Sequence, residues 1–313
     1  MNGMTIGLLV GSAVLATALG AQSQGAAFTL AETGRTFSKL QDAVDAVGGG
    51  RGTIRVAPGQ YAQCAVQTAG RVAFVAEAPG TAIFDGGACE DKATLVLRGA
   101  GARVEGLVFQ NIRVPDANGA GIRLERGDLD VSETMFRDSE QGILTGDDPQ
   151  ATIRISRSTF SGLGRCDRGL SCAHGIYIGD YGSLAVDRSR FERGRGGHYV
   201  KSRAARIDLT NSSFDDTRGS TTNYMVDLSN GATGRISGNR FVQGKNKENY
   251  SAFIVVAPEG RKHSSAGLVI AGNEAVLGAG APRPTAFIAD LSKDRLAIGA
   301  NSIAAGIERF QQR

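Results

Sequence analysis

The segment Val186-Asp-Arg-Ser189-Arg-Phe191 is one copy of a pattern that decides how this chain folds. An apolar residue is followed, after two residues, by Ser, Thr or Asn and then, after one more residue, by an apolar or aromatic side chain. The Ser, Thr or Asn positions recur 24, 31, 23, 27, 34 and 28 residues apart. A fixed pattern at a variable period is typical of a solenoid whose coils share one cross-section while their loops differ in length. The other copies are Val131–Phe136, Ile155–Phe160, Leu209–Phe214 and Ile236–Phe241, with looser copies at Ile270–Asn273 and Ile298–Ile303.

A second strand follows each copy after a Gly-rich or charged turn. In such a stack, Ser and Asn side chains at one corner can form hydrogen bonds from coil to coil, and stacked Phe rings can fill the inside. The pattern therefore predicts an all-β solenoid of parallel strands. The second strands are Gly121–Leu124, Gly142–Thr145, Gly175–Ile178, Tyr199–Ser202, Met225–Leu228 and Phe253–Val256, with a last copy at Phe287–Asp290 whose register is less clear.

The N-terminal part predicts a short amphipathic helix. Leu40, Ala43, Val44 and Val47 fall on one helical face, Ser38 is placed to cap it, and glycines 48–50 end it. A solenoid leaves an apolar end, and a helix across that end covers it. We therefore expect this helix to be the N-terminal cap.

The first 31 residues carry no charged side chain, and residues 6–19 are mostly apolar. We interpret residues 1–27 as a secretory signal cleaved between residues 20 and 27, with an uncleaved anchor as the alternative. The mature domain is then 28–313, secreted or periplasmic, with no membrane span. An even number of cysteines in an exported chain suggests two disulfides, Cys64–Cys89 and Cys166–Cys172.

The formal net charge of +4 is not concentrated in any Lys/Arg run, so the sequence does not indicate a nucleic-acid partner. An acidic partner is compatible with this charge, and so is an inert basic surface. We expect a monomer without a cofactor, and calcium binding stays open because loops can assemble a site from distant acids.

The sequence resembles a known fold family. Residues 43–47, Ala-Val-Asp-Ala-Val, followed by residues 56–61, Val-Ala-Pro-Gly-Gln-Tyr, are similar to the start of pectin methylesterases and other β-helix proteins. The resemblance, to the right-handed parallel β-helix superfamily that includes pectate lyases, covers nearly the whole mature chain. It implies a single-stranded right-handed parallel β-helix.

Three successive second strands carry the polar residues that suggest a site. Side chains alternate faces along a strand, so apolar Ile176, Val200 and Val226 point inward, and Tyr177, Lys201 and Asp227 point outward. The three outward side chains then form a row with Lys201 in the middle. Leu144 and Arg123 extend this row on one side and Val255 on the other, and a slip of one residue would bury Lys201 instead.

Further polar residues lie beside this row. His174 and His198 precede two of the strands at equivalent positions, Tyr199 follows His198, and Arg203 leaves the Lys201 strand on the same face. Cleavage of a uronic-acid polymer by β-elimination needs a cation for the carboxylate, a base and a proton donor within a few ångströms.

These residue types match that chemistry. The predicted catalytic residues are Lys201, Tyr177, His198 and Arg203, and the predicted substrate-binding residues are His174, Tyr199, Asp227 and Arg123. Asp227 beside Lys201 would stabilise the ammonium form of the lysine, and it could instead orient a histidine.

The segment Val200-Lys-Ser-Arg203, followed by Asn211-Ser-Ser-Phe214, resembles the alginate lyase and chondroitinase B family. That resemblance implies Lys201 as the base. The Arg-His-Gly that supplies the acid in that family is replaced by Val226-Asp-Leu228. The hypothesis is therefore a lyase acting on an acidic polysaccharide. The alternatives are a non-catalytic glycan-binding or envelope scaffold protein, and a hydrolase or epimerase that uses carboxylates such as those at 147–148 or 215–216.

Overall fold

The computed structural model describes residue 1, residues 26–167 and residues 169–313. The expected signal segment, 1–27, therefore lies almost entirely outside the described residues. Within the described ranges, no helix is both long enough and apolar enough to cross a bilayer.

The described residues form one short helix and 32 strands. The helix α1 spans Leu40–Val47. The strands in chain order are β1 Phe28–Leu30, β2 Arg35–Phe37, β3 Arg51–Val56, β4 Gly59–Tyr61, β5 Ala65–Gln67, β6 Arg71–Ala76, β7 Ala82–Asp85, β8 Ala93–Leu97, β9 Gly101–Glu105, β10 Leu107–Gln110, β11 Ala120–Leu124, β12 Asp128–Ser132, β13 Met135–Arg137, β14 Gln141–Thr145, β15 Asp148–Ser156, β16 Thr159–Ser161, β17 Ile176–Ile178, β18 Tyr181–Asp187, β19 Arg190–Glu192, β20 Val200–Ser202, β21 Arg206–Thr210, β22 Ser213–Asp215, β23 Val226–Leu228, β24 Thr233–Ser237, β25 Arg240–Gln243, β26 Ala252–Val256, β27 Val269–Ala271, β28 Glu274–Leu277, β29 Thr285–Asp290, β30 Ala297–Ile298, β31 Ser302–Ile303 and β32 Ile307–Gln312.

These strands wind into a solenoid of about nine turns in the described part of the chain. From β3 onward each strand pairs in parallel with the strand three places later, which produces three long sheets. Sheet 1 runs β2-β1-β3-β6 and onward to β30, sheet 2 runs from β4 to β31, and sheet 3 runs from β5 to β32. The prediction of an all-β parallel solenoid is confirmed, and each predicted second strand overlaps a strand of sheet 3. The coils also begin well before residue 100, where the repeat first becomes visible in the sequence.

A ladder of polar side chains joins neighbouring coils at the corner between sheets 1 and 2. The backbone N–H of Ser158 donates to Ser189 Oγ at 3.2 Å, and that of Ser189 donates to Ser212 Oγ at 3.1 Å. The ladder continues with Asn, as the N–H of Ser212 donates to Asn239 Oδ1 at 2.9 Å and that of Asn239 to Asn273 Oδ1 at 3.1 Å. Because buried N–H groups need partners, these side chains fix the register of each new coil on the previous one.

A column of phenylalanine rings fills the interior beside sheet 2. The ring centroids of Phe160 and Phe191 lie 4.8 Å apart and those of Phe191 and Phe214 lie 4.7 Å apart, with nearly parallel planes. The spacing matches the distance between strands of a sheet, so one ring per coil packs without a gap.

The helix α1 covers the N-terminal end of the solenoid, as predicted. Leu40, Ala43 and Val44 are buried against the first coils. The predicted cap by Ser38 is wrong, because Lys39 occupies the N-cap position without a side-chain hydrogen bond. The first helical N–H, of Leu40, is bonded instead by Gln63 Oε1 at 2.8 Å, from the coil beneath it. The antiparallel hairpin β1–β2, which has no repeat pattern, closes the edge of sheet 1.

Both expected disulfides are present. Cys64 is bonded to Cys89, which links adjacent coils near the N-terminus. Cys166 is bonded to Cys172 and closes a small loop between β16 and β17. Structural disulfides persist in oxidising compartments, so both bonds are consistent with an exported protein.

We expect Phe191→Ala to lower the free energy of unfolding by about 3–5 kcal/mol, because it leaves a cavity in a closed column of rings. Phe310→Ala is the matched control, since the Phe310 side chain is 36% exposed whereas Phe191 is fully buried. Urea unfolding followed by circular dichroism measures both variants. An equal loss in the two variants would contradict the importance assigned to the column.

Candidate functional site

Tyr177, Lys201 and Asp227 form one row across sheet 3. Tyr177 pairs in register with Lys201, and Lys201 pairs with Asp227, on the consecutive strands β17, β20 and β23. Their strand neighbours Val200 and Val226 point into the core, so the row faces outward. This confirms the predicted register. We call these three residues the central row.

The row continues as predicted on both sides. Leu144 and then Arg123 lie beyond Tyr177 on β14 and β11, and Val255 lies beyond Asp227 on β26. Leu144 and Arg123 are partly exposed, whereas Val255 is buried. The open end of this face therefore lies on the Arg123 side. Two rungs separate Arg123 from Tyr177, about 10 Å at the strand spacing of a sheet.

The Lys201 ammonium lies outside the coil but is not open to solvent, which differs from the expectation. Lys201 is 7% exposed, and its Nζ contacts a carboxylate oxygen of Glu259 and lies 3.6 Å from Asp227 Oδ2. Glu259 belongs to the segment 257–268 between β26 and β27, which we call the covering loop. The loop reaches back over two coils to the lysine, and the sequence pattern of the strands gives no sign of it.

Arg203 shares both neighbours of Lys201. Its Nη2 contacts Glu259 Oε2 at 2.5 Å, and its Nε donates to the Tyr177 hydroxyl at 2.9 Å. A third contact runs from Nη1 to Asn230 Oδ1 at 3.3 Å. The two cations thus bind the two oxygens of one carboxylate beside a phenol. Burial raises the pKa of Glu259, but the hydrogen bonds from Lys201 and Arg203 outweigh it and hold that pKa below its usual value.

The predicted histidines stack at the start of these strands. The ring centroids of His174 and His198 lie 5.0 Å apart, and the Tyr224 ring continues the stack 5.6 Å from His198. His174 Nδ1 accepts a hydrogen bond from the His198 backbone N–H at 3.0 Å, so the proton of neutral His174 is assigned to Nε2. Burial, together with the charge of neighbouring cations, lowers the pKa of both histidines, to about 3 for His198.

Asp227 lies against His198, where one of its two predicted roles, the orientation of a histidine, would place it. The distance from His198 Nε2 to Asp227 Oδ2 is 3.2 Å, and Ser229 Oγ donates to Asp227 Oδ1 at 3.0 Å. Burial raises the pKa of Asp227 to about 6, although Lys201 acts against this rise. His198 is thus held neutral next to a carboxyl whose proton is lost near neutral pH.

Tyr199, predicted to bind substrate, lies elsewhere. Its side chain is buried inside the coil, where its hydroxyl donates to Asp216 Oδ1 at 2.7 Å. The regular strand begins only at Val200, so the alternation of faces does not extend back to Tyr199. Lys247 is also buried in this cluster, with Nζ 3.3 Å from Asp216 Oδ2 and 3.1 Å from Thr222 Oγ1. Tyr199 therefore pins loops beneath the site and does not face a bound chain.

The site contains residues that the strand pattern did not suggest: Glu259 and Asn230, the ring of Tyr224, and Asp180. Asp180 follows β17 and binds the far end of the covering loop, through Lys262 Nζ at 2.6 Å and His263 Nε2 at 2.8 Å. This contact fixes the His263 side chain against the end of β17. The only sequence signal for the loop is its run of charges from Glu259 to His263.

The described residues include one group of three side chains with metal-ligand spacing, Cys166, Cys172 and Glu248. Its two cysteines form a disulfide and therefore offer no thiolate ligands. The carboxylates of the central site, Asp227 and Glu259, are each bonded to cationic or polar side chains.

Asp227 and His198 should make opposite contributions to the pH dependence of stability. The raised pKa of Asp227 adds to the free energy of unfolding below about pH 3.8, and this contribution is lost as the pH rises to about 6. The lowered pKa of His198 adds to it above about pH 6.5, and this contribution is lost as the pH falls toward 3. Between these limits the two effects largely cancel.

Single substitutions should expose each contribution. Relative to the wild type, we expect Asp227→Asn to gain stability as the pH rises between about 4 and 6, and His198→Gln to lose it, each by roughly 1 kcal/mol per pH unit. Urea unfolding at several pH values measures both differences. Parallel pH profiles for the two variants would show that the pair is not arranged as described.

Comparisons with known proteins agree with this architecture. The family described as right handed beta helix region matches residues 95–275. No curated protein sequence matches the chain. Among solved structures, the PL6 family alginate lyase AlyGC is similar with a TM-score of 0.51 and 15% identity, over 82% of this chain and 40% of that one. The chain thus spans less than half the length of that lyase.

Two further structures are more distant. The Streptococcus pneumoniae surface protein and adhesin PfbA has a TM-score of 0.39 and 9% identity, over 87% of this chain and 94% of that one. The A-module of the Azotobacter vinelandii mannuronan C-5 epimerase AlgE4 has a TM-score of 0.33 and 14% identity, over 87% and 91%. At these identities the likeness concerns the fold alone. Since the family match covers more than half of the sequence, the chain belongs to the right-handed β-helix family.

Proposed function

We propose that this is an exported protein that binds an acidic polysaccharide on the outward face of sheet 3 and cleaves it by β-elimination. One observation carries the proposal: Lys201 and Arg203 together bind a single carboxylate, that of Glu259, beside the phenol of Tyr177. A uronic-acid residue presents such a carboxylate next to the bond that β-elimination breaks. The alginate lyase among the similar structures supports the substrate class by analogy of fold.

The open side of the sheet face indicates how a polymer would lie. From Tyr177 the row leads to Leu144 and Arg123, both partly exposed, while the opposite direction is closed at the buried Val255. Sugar rings can pack on the apolar Leu144 side chain, and Arg123 offers a further cation about two rungs away. A bound chain would therefore extend from Lys201 toward Arg123.

The reaction follows from the groups at the site. Arg203 pairs with the uronate carboxylate and stabilises the charge that develops when the neighbouring C5 proton is removed. Lys201 passes its ammonium proton to bulk water once Arg203 holds the carboxylate, and the amine so formed takes the C5 proton. The C5 electron pair forms the C4–C5 double bond, and the C4–O4 bond breaks. The departing O4 receives the hydroxyl proton of Tyr177. This proton is available because the Tyr177 oxygen already accepts a hydrogen bond from Arg203.

Asp227 and His198 line the site beside Lys201 in this proposal. Asp227 Oδ2 lies 3.6 Å from Lys201 Nζ and 3.2 Å from His198 Nε2. With a pKa of about 6, Asp227 is mostly ionised at neutral pH. It is therefore the counter-ion of Lys201 once the lysine has taken up the C5 proton, whereas His174 and His198 form the wall of the site.

A second function, non-catalytic binding of an acidic glycan, is favoured by one feature. Lys201 lies between two carboxylates, those of Asp227 and Glu259, and an ammonium in that setting is suited to binding an anion. Asp227 also stands where the resembling lyases have their acid. The two functions share a ligand and differ in whether a product forms.

We expect Lys201→Ala to lower the release of unsaturated uronates by about 10²-fold or more while the fold is kept. The variant lacks the group that helps to bind the uronate carboxylate and the base that removes the C5 proton. The ultraviolet absorbance of the C4–C5 double bond, followed with alginate, pectate, hyaluronan and glucuronan, with and without calcium, measures the product. Lys39→Ala is the control, because Lys39 is exposed and remote, beside the N-terminal cap.

The same polymer set separates the two functions. Unchanged product formation by Lys201→Ala would remove Lys201 from the mechanism. Binding of a polymer by the wild type without any product, and loss of this binding in Lys201→Ala, would establish the glycan-binding function instead.

A further inference from the structure

The covering loop occupies the position that the proposed substrate needs. Glu259 binds Lys201 through one carboxylate oxygen and Arg203 through the other. These contacts are those that a sugar carboxylate would make with the same two side chains. We propose that Lys201 and Arg203 form a carboxylate subsite, that Glu259 fills it in the resting protein, and that a uronate binds by displacing Glu259 and lifting the covering loop. This inference rests on the proposed function for its ligand, but not for the movement of the loop.

The charges of the site indicate that a uronate has to replace Glu259 in order to bind. With Glu259 in place, the two cations Lys201 and Arg203 face two carboxylates, Asp227 and Glu259, so a polyanion meets no net positive charge. Removing Glu259 leaves one uncompensated cation within a largely buried cluster. A uronate carboxylate restores the balance, so the exchange replaces one set of charge-assisted hydrogen bonds with an equivalent set.

The tip of the covering loop, residues 259–263, is held by few contacts, whereas the base of the loop is fixed, for example by the Ser265 N–H that donates to Asp294 Oδ2 at 2.6 Å. The backbone of the tip makes two contacts with the turn beneath it, from the Glu259 N–H to Ser229 O at 3.0 Å and from the His263 N–H to Asn230 O at 2.9 Å. Its side chains hold the far end, where Lys262 and His263 both bind Asp180. These contacts are polar, and Lys262 is more than half exposed. A competing ligand that lifts these residues would therefore expose little apolar surface to water.

Asp180 is therefore a positioning residue for Glu259. It touches neither Lys201 nor Arg203 in any described contact, and it lies on the coil of Tyr177, three coils from the root of the loop. Weakening its hold should raise the fraction of molecules in which the subsite is open. Because Glu259 is tethered, it competes at a high effective concentration, and loosening it should tighten binding of an external carboxylate.

The first experiment needs no substrate. The acetylation rate of Lys201 by an amine-acylating reagent, measured by peptide mass spectrometry on the full chain, reports access to the subsite. We expect Glu259→Gln and Asp180→Asn each to raise this rate severalfold. Glu274→Gln and Asp208→Asn are matched controls. Each removes a surface carboxylate that pairs with arginine away from the site, Glu274 on sheet 2 and Asp208 on sheet 1. Thermal unfolding of all four variants identifies any general loosening.

The second experiment uses oligomannuronate and oligogalacturonate of defined length as probes, with calorimetric titration. We expect Glu259→Gln and Asp180→Asn to bind the recognised oligomer about tenfold more tightly than the wild type, and the two control variants to match the wild type.

The outcomes separate the two proposals. Faster acetylation of Lys201 without binding of either oligomer would support the movement of the loop and show that neither oligouronate is the ligand. Wild-type acetylation rates in both Glu259→Gln and Asp180→Asn, or oligomer binding that is unchanged or weaker in them, would overturn the displacement of Glu259 while leaving the proposed function intact.

Discussion

The structure depends on one constraint, the stacking of parallel strands in register from coil to coil. Parallel backbone pairing joins each strand from β3 to β29 to the strand one coil later, so successive coils must rise by the same strand spacing. The buried ladder that includes Ser189, Ser212 and Asn239 holds this register at one corner. Extra residues can be accommodated only in the loops, which is why the repeat varies in length while its internal pattern does not.

This register also brings together residues that are far apart in the sequence. Tyr177, Lys201 and Asp227 are each separated by a full coil, yet they lie side by side because they occupy the same position on successive strands. The stacked rings of His174 and His198 arise in the same way. A site on such a face is therefore a row, and a row suits a polymeric ligand better than a compact one.

Burial turns this row from a surface ion pair into a coupled site. An exposed Lys–Asp pair would have little effect on the protonation of its members. Under the covering loop, desolvation raises the pKa of Asp227 to about 6 and lowers that of His198 to about 3, so the carboxyl titrates close to neutral pH beside a neutral imidazole. The cations Lys201 and Arg203 are balanced by Asp227 together with Glu259 from the loop, which links the chemistry of the site to the position of the loop.

The sequence by itself determined the solenoid, its capping helix and the outward row centred on Lys201. These follow from local periodicity, since alternating faces along a strand and one ladder residue per coil are properties of neighbouring residues. Only the tertiary structure decided that Glu259 covers Lys201, that Asp180 holds the covering loop, and that Tyr199 turns inward to Asp216. These contacts depend on the paths of irregular loops and on where a strand begins, and no periodic pattern encodes either. The difference has one physical reason: repeated backbone pairing makes strand positions predictable from spacing, whereas a loop is placed by contacts across several coils.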